Sequence, residues 1–185
     1  MTTGKFFDEV WQKGDYRRGS TCQRLIPFLR KHIPEGSTVN DYGSGTGRAE
    51  PDLLTFCSKV NMVDFSGVAL EGVAKALIGK RLTYCVSPLE TLPTDFPVAD
   101  WGICINVLMT VDPAKLEVIM HEMRRTCHNL IIEVYDMSDK RLGKEMTLIK
   151  GDARFWSDEM KKYWPVVESF PSPEHPRRYI TIGRS

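Results

Sequence analysis

The feature that most constrains this chain is the glycine run Gly43-Ser-Gly-Thr-Gly47, set between a strand-like segment and a helix-like one. Glycines at this spacing let the backbone turn sharply and come close to a ligand, and a helix that starts just beyond aims its free N–H groups at it. Ahead of the run, Ser37-Thr-Val-Asn-Asp-Tyr42 reads as a strand entered from the turn Pro34-Glu-Gly36. Behind it, Arg48 to Phe56 fits a helix, with Pro51 in the first turn, where its missing N–H leaves no bond unmade. The loop is GxGxG, whereas the dinucleotide fingerprint is GxGxxG, so a pyrophosphate site is disfavoured. A second strand, Lys59-Val-Asn-Met-Val-Asp64, closes on a carboxylate 21 residues after Gly43. A carboxylate at that strand end is placed to accept from both hydroxyls of a ribose held against the loop.

The alternation of strand and helix continues. Ser66 is the expected N-cap of a helix through about Ile78, carrying Val68, Leu70, Val73, Ala74 and Leu77 at near-helical spacing and stopping at Gly79. Leu82-Thr-Tyr-Cys-Val86 is a third strand, and Trp101-Gly-Ile-Cys-Ile-Asn106 a fourth, apolar as a strand covered on both faces should be. Between them lies an irregular segment with Pro88, Pro93 and Pro97. Asp112 caps a predicted helix from Pro113 to Thr126 that buries Leu116, Ile119, Met120 and Met123, and Asn129-Leu-Ile-Ile-Glu-Val-Tyr135 is the fifth strand. Lys5 to Trp11 and Thr21 to His32 predict two N-terminal helices, the second kinked at Pro27. Ser157 to Tyr163 predicts a further helix, and Trp164 to Phe170 with Arg178 to Ile182 a long-looped antiparallel hairpin. The whole pattern predicts an α/β fold: a mostly parallel sheet with helices on both faces.

A chain of 185 residues supports one core rather than two. With 25 basic against 24 acidic residues, no global field points to a nucleic-acid or membrane partner. No apolar run approaches the ~20 residues that span a bilayer, and the opening MTTGKFFDEVWQKGDYRR lacks the apolar stretch of a secretory signal, so the cytoplasm is the expected address. Cys22, Cys57, Cys85, Cys104 and Cys127 are odd in number and lack zinc-ligand spacing, which predicts neither a disulfide framework nor a metal.

Val39-Asn-Asp-Tyr-Gly-Ser-Gly-Thr-Gly47 resembles the first motif of the class I S-adenosylmethionine-dependent methyltransferases, an acidic residue two before the first glycine of GxGxG. The resemblance implies a Rossmann-like seven-stranded sheet with a reversed last strand, which the C-terminal hairpin suits, and S-adenosyl-L-methionine as cofactor. It implies that Asp41 orders the loop and helps hold the methionine ammonium, that Gly43, Ser44 and Gly45 line the methionine part, that Asp64 holds the ribose and that Phe65 packs near the adenine. Ser87-Pro-Leu-Glu-Thr-Leu-Pro93 is similar to the segment whose aspartate accepts from the adenine amino group. Pro88 stands in that place here, so the contact falls to Ser87 or a backbone carbonyl, with the Leu89 amide donating to the ring. Asp100 to Val111 resembles the fourth-strand motif, which puts Asn106, Val107 and Leu108 beside the methionine and the acceptor. Family members with similar amino-terminal helices set an aromatic residue and a cation over the cofactor, which nominates Tyr16 and Arg17; a solvated turn is the other reading of that segment. The resemblance covers Ser37 to Val134 well and the flanks loosely. It divides the single domain into an N-terminal helical cap (1–36), a cofactor-binding core (37–135) and a variable acceptor-side region with the terminal hairpin (136–185).

Methyl transfer is an in-line displacement from a sulfonium, so the chain needs chiefly to align its acceptor, and the catalytic residues are not written in the cofactor motifs. Tyr135 and Asp136, just past the fifth strand, and His175 in the proline-rich loop are the candidates, a solvated loop histidine being the alternative for the last. Trp156 and Trp164 either wall an acceptor pocket or cover the sheet. Lys140, Arg141, Lys144, Lys150, Arg154, Lys161 and Lys162 either draw an anionic substrate or form a solvated face. There is neither a Pro-Cys pair for attack on cytosine nor an Asn/Asp-Pro-Pro-aromatic motif, whose place Asn106-Val-Leu-Met109 takes. A small molecule or nucleotide is therefore the leading acceptor, with a nucleic acid or protein second. Two rival classes share parts of the pattern: a catalytically idle S-adenosylmethionine-binding subunit, and a nucleotide-binding oxidoreductase that the shortened loop disfavours. The oligomeric state is left open.

Overall fold

Apolar runs interrupted by glycine, proline and acidic residues set seven strands: β1 (Thr38–Tyr42), β2 (Lys59–Asp64), β3 (Leu82–Val86), β4 (Ala99–Ile105), β5 (Cys127–Tyr135), β6 (Val166–Pro171) and β7 (Arg178–Arg184). The helices are α1 (Thr21–Arg24), α2 (Ile26–His32), α3 (Glu50–Leu53), α4 (Gly72–Leu77), α5 (Leu116–Thr126) and α6 (Ala153–Lys161). The computed structural model describes residues 8–9, 11–12, 21–70, 72–136 and 146–185.

The strands form one sheet in the order β3-β2-β1-β4-β5-β7-β6. β1 to β5 pair in parallel, while β7 runs antiparallel to both β5 and β6. The expected mostly parallel seven-stranded sheet with a C-terminal antiparallel hairpin is thus observed. Because the chain builds outward from β1 to β3 and then returns to β4 on the other side of β1, the connections diverge between β1 and β4. That is the switch point where ligands enter open α/β sheets.

Side chains alternate between two cores, as strand geometry requires. Tyr42, Cys104, Leu130, Ile132 and Val134 join Met120 and Met123 of α5 and Trp156 and Met160 of α6 on one face. Val39, Val60, Met62, Trp101, Ile103, Ile131 and Ile180 meet Leu29 of α2, Leu53 of α3 and Ala74 of α4 on the other. Each such side chain of leucine size contributes roughly 1.5–3 kcal/mol by leaving water. The same alternation places Asp41, Asp64 and Glu133, at strand ends, on the second face. Trp156 and Trp164 are fully buried and cover the sheet, with Trp164 Nε1 donating to the His128 carbonyl at 2.8 Å.

Several helices differ from expectation for identifiable reasons. α4 starts at Gly72 rather than Ser66, because the Ser66 N–H donates to Asp64 Oδ1 at 2.9 Å and its hydroxyl to Asp8 Oδ1 at 2.6 Å. Leu70 and Ala74 are buried while Val68 and Leu77 are exposed, so the predicted apolar stripe is only partly used. α3 is short because the Arg81 guanidinium takes the carbonyls of Leu54, Cys57 and Ser58 just beyond it. The N-terminal helix is broken at Leu25 instead of kinked, since Pro27 lacks the N–H that would continue it. A 3₁₀ turn, Pro113–Lys115, precedes α5, and Asp112 accepts from Ala114 N at 3.0 Å as its cap. α6 starts earlier than predicted because Asp152 accepts from Phe155 N at 2.8 Å. On its surface Arg154 and Lys161 pair with Asp158, and Lys162 with Glu159, which makes this part of the basic cluster a solvated face. Lys140, Arg141 and Lys144 lie outside the described residues.

Candidate active site at the switch point

The glycine loop is pinned to the end of β2: Gly43 N and Ser44 N both donate to the Val63 carbonyl, at 2.8 and 3.2 Å. Gly43 and Gly45 have φ of +79° and +56°, a region that side-chain-bearing residues rarely adopt. A Cβ on Gly43 would stand 2.4 Å from a Val107 methyl, and one on Gly45 3.2 Å from the Trp11 ring. The loop is therefore held between the exit of β4 and the N-terminal segment.

Asp64 is 4% exposed and holds the loop through Gly45 N on Oδ2 and the following turn through Ser66 N on Oδ1, each at 2.9 Å. Burial raises its pKa, and the two N–H groups oppose that shift. Ser87 N donates to the Asp64 carbonyl at 3.0 Å, which brings the Ser87, Pro88 and Leu89 segment beside it. The Ser87 hydroxyl points its proton at its own loop, to the carbonyls of Pro88 and Thr91 at 3.1 and 3.0 Å, which leaves its oxygen to accept. Phe65 is half-buried next to Asp64.

At the β4 exit, Asn106 has φ +59°, the one non-glycine in that region among the described residues. Its N–H donates to the Glu133 carbonyl at 2.8 Å and its Nδ2 to Glu133 Oε2 at 3.0 Å. Glu133 is fully buried at the end of β5, where Ser172 Oγ donates to Oε1 at 2.5 Å and Arg178 stands at 3.8 Å. Burial raises its pKa, while Ser172, Arg178 and Asn106 oppose it. Arg178 also lies over the Tyr135 ring, 5.8 Å from its centre.

The three acceptor-side candidates from the sequence fall at this same carboxyl edge. Asp136 is ion-paired to Arg177 at 2.9 Å, and His175 Nδ1 accepts from Arg177 N at 3.1 Å, so both are tied into the loop before β7. Tyr16 and Arg17 lie outside the described residues. Among the described N-terminal residues, Trp11 lies against Gly45 of the loop and Asp8 accepts from Ser66 in the turn after β2. Sequence reasoning missed Asp8, Trp11, Glu50, Glu133, Ser172 and Arg178. Glu133 alone carried a local signal, a carboxylate inside an otherwise apolar strand.

Glu50, in the first turn of α3, is fully buried beside Asp41, itself 4% exposed. Burial raises both carboxyls, and the charge of Glu50 pushes Asp41 higher still. Among the described residues, the buried polar atoms with no hydrogen-bond partner are Ser44 Oγ, both Glu50 carboxyl oxygens, Asn106 Oδ1 and Trp156 Nε1. All but the last border the glycine loop or the β4 exit. No cluster of three or more His, Cys, Asp or Glu among the described residues is arranged for a metal ion.

Residues 40–129 match the family model described as "Methyltransferase domain". The fold is similar to that of DhpI in its complex with SAM and HEP, at 12% identity and TM-score 0.71 over 100% of both chains. It is similar to 1,6-didemethyltoxoflavin-N1-methyltransferase of Burkholderia thailandensis, at 15% identity and TM-score 0.77, over 97% of this chain and 85% of that one. A third likeness is to the putative methyltransferase bound to the Trm112 activator of Haloferax volcanii, at 15% identity and TM-score 0.70, over 97% and 93%. No curated protein sequence matches the chain.

S-adenosylmethionine supplies an electrophilic methyl on a sulfonium, flanked by an adenosine and an amino-acid group. The residues present fit it: buried acceptors without partners at Glu50 and Asn106, a carboxylate at Asp64 for hydroxyls, and a glycine turn whose positive-φ backbone packs tightly against Val107 and Trp11. Residues 40–129 thus carry a methyltransferase domain, on the Rossmann-like seven-stranded sheet shared with the S-adenosylmethionine-dependent methyltransferases that the fold resembles.

Proposed function

We propose that this methyltransferase acts on a small polar molecule held at the carboxyl ends of β4 and β5, beside the amino end of β7. The observation that carries the reading is the buried Glu133, ringed by Asn106, Ser172 and Arg178. Asn106 joins that group to Val107 and the glycine loop, so a polar floor adjoins the methyl-donor site. An enclosed floor of this kind suits a compact acceptor, in agreement with the didemethyltoxoflavin bound by one fold neighbour. Asp41, Gly43, Ser44, Gly45, Asp64, Phe65, Ser87, Pro88, Leu89, Asn106 and Val107 form the proposed cofactor site, and Tyr16 and Arg17 remain proposed for its cover. Residues 1–36 are then a cap, 37–135 the cofactor core and 136–185 the acceptor side. Among the described residues no helix is long and apolar enough to cross a membrane, and we place the protein in the cytoplasm.

The test is transfer of a labelled methyl group by the purified chain to panels of small molecules, nucleotides, transfer RNA and peptides. Transfer to a small polar acceptor is expected, with Glu133→Gln lowering kcat/KM for it while S-adenosylhomocysteine affinity is kept. Transfer confined to nucleic acid or protein overturns the acceptor class. A second reading, dependence on an activating partner, is favoured by the fold neighbour bound to its activator. Activity of the chain by itself rejects it.

A further inference from the structure

Asp41 and Glu50 meet in the interior, and among the described residues no cation faces them. The ionisable groups that face the pair come from four sides: Cys22 on α1, Asp64 at the end of β2, Cys104 on β4 and, beyond Cys22, Glu133 on β5. Every one of these is neutral or negative, and the Glu50 oxygens have no well-formed hydrogen bond, with only the backbone N–H groups of Ala49 and Glu50 itself near them. Two ionised carboxylates give each other nothing, so Glu50 Oε1 and Oε2 stay orphaned. A single proton on the pair turns the same contact into a hydrogen bond, and burial favours that singly protonated form. Glu133 differs, since Ser172, Asn106 and Arg178 already supply its donors.

With no cation facing it among the described residues and only the Ala49 and Glu50 backbone N–H groups near Glu50, the buried pair is completed by a ligand group that brings both charge and further donors. Within the cofactor, the sulfonium carries charge but no N–H; the α-ammonium carries both. We propose that the Asp41–Glu50 pair is a proton-exchanging seat for the α-ammonium of S-adenosylmethionine, holding one proton in the free protein and releasing it to solvent when the ammonium takes its place. The exchange balances: one positive charge leaves as a proton and one arrives with the ligand, and the pair ends as two carboxylates sharing ammonium donors. The inference rests on the assignment of the Gly43–Gly47 loop as the cofactor site, and it assigns Glu50 a role that the loop motif does not contain.

The test is calorimetric titration of the full chain between pH 6 and 8 in buffers of different ionisation enthalpy, which counts the protons released. S-adenosylhomocysteine is the probe with the ammonium, and 5′-methylthioadenosine the one without it. Expected are release of about one proton with the first and none with the second, and an affinity for the first that rises by up to about tenfold per pH unit. Glu50→Gln and, separately, Asp41→Asn should abolish the release and flatten the pH dependence, with Glu50→Gln still binding 5′-methylthioadenosine. Binding of S-adenosylhomocysteine without proton release, or equal release with both probes, overturns the proposal and leaves the cofactor site standing. Failure of both probes to bind the unmodified chain at any pH overturns the site assignment, and the proposal with it.

Discussion

Asp64 has two roles in one side chain, organising the loop through Gly45 N and Ser66 N and presenting a charged acceptor to a ribose. Hydrogen bonds to charged groups contribute about 1.5–3 kcal/mol each, so Asp64→Ala should lower S-adenosylhomocysteine affinity at least about tenfold, and Asp64→Asn, which keeps one acceptor, by less. Calorimetry decides it, and unchanged affinity in the alanine variant rejects the ribose role. Gly45 is constrained twice, by φ +56° and by the Trp11 ring 3.2 Å from where its Cβ would lie. Gly45→Val should therefore lose most cofactor binding while the sheet remains folded by circular dichroism, because the added branch meets the Trp11 ring and forces the turn from its conformation.

At the level of elements, the strands were legible and the helices less so. β2 and β3 run over the residues expected of them, since an apolar run closed by Asp64 or by Ser87-Pro88 leaves little choice of register. Helix ends depended on distant partners: Arg81 closes the turn after α3 from β3's entry, and Asp8 draws Ser66 away from capping. Asp152 is a residue type suited to a cap, but the apolar spacing that marks the helix in the sequence begins later. Its replacement by alanine should cost about 1 kcal/mol, the usual worth of such a cap, read as a lower urea midpoint; no change would mean that α6 is held by Trp156 and Met160 alone. The site divides the same way. Gly43, Gly45 and Asp64 follow from spacing within one β-α-β unit and Asp41 from the family resemblance; Glu50 lies in that same unit, where only its burial marks it, whereas Glu133, Ser172 and Arg178 converge through strand alternation and the reversal of β7. Trp11 reaches the loop, and Asp8 the turn after β2, from a segment far from both in sequence, contacts that no local pattern encodes.

At the scale of the whole molecule, Asp41, Glu50, Asp64 and Glu133 are buried carboxyls whose pKa values are raised chiefly by desolvation. A carboxyl that binds its proton more tightly folded than unfolded contributes stability that is fully present below the ordinary value of about 4 and is lost as pH rises through the folded value. Asp100 has the opposite sign: bonds from Thr38 lower its pKa, so its smaller, exposed contribution is lost as pH falls. The ligand-free protein should thus lose stability as pH rises above the ordinary carboxyl value, a trend to be followed from about pH 5 to 8. Saturating S-adenosylhomocysteine stabilises the folded state by mass action, and more at the upper end if its ammonium replaces the proton of the Asp41–Glu50 pair. Urea midpoints across this range, with and without ligand, should therefore diverge as pH rises. Glu50→Gln should raise the ligand-free midpoint at pH 8 while narrowing that divergence, since it removes a buried charge and the seat it offers. A ligand-free midpoint that climbs with pH would mean that these carboxyls are ionised and satisfied in the folded chain, and that the pair does not hold a proton.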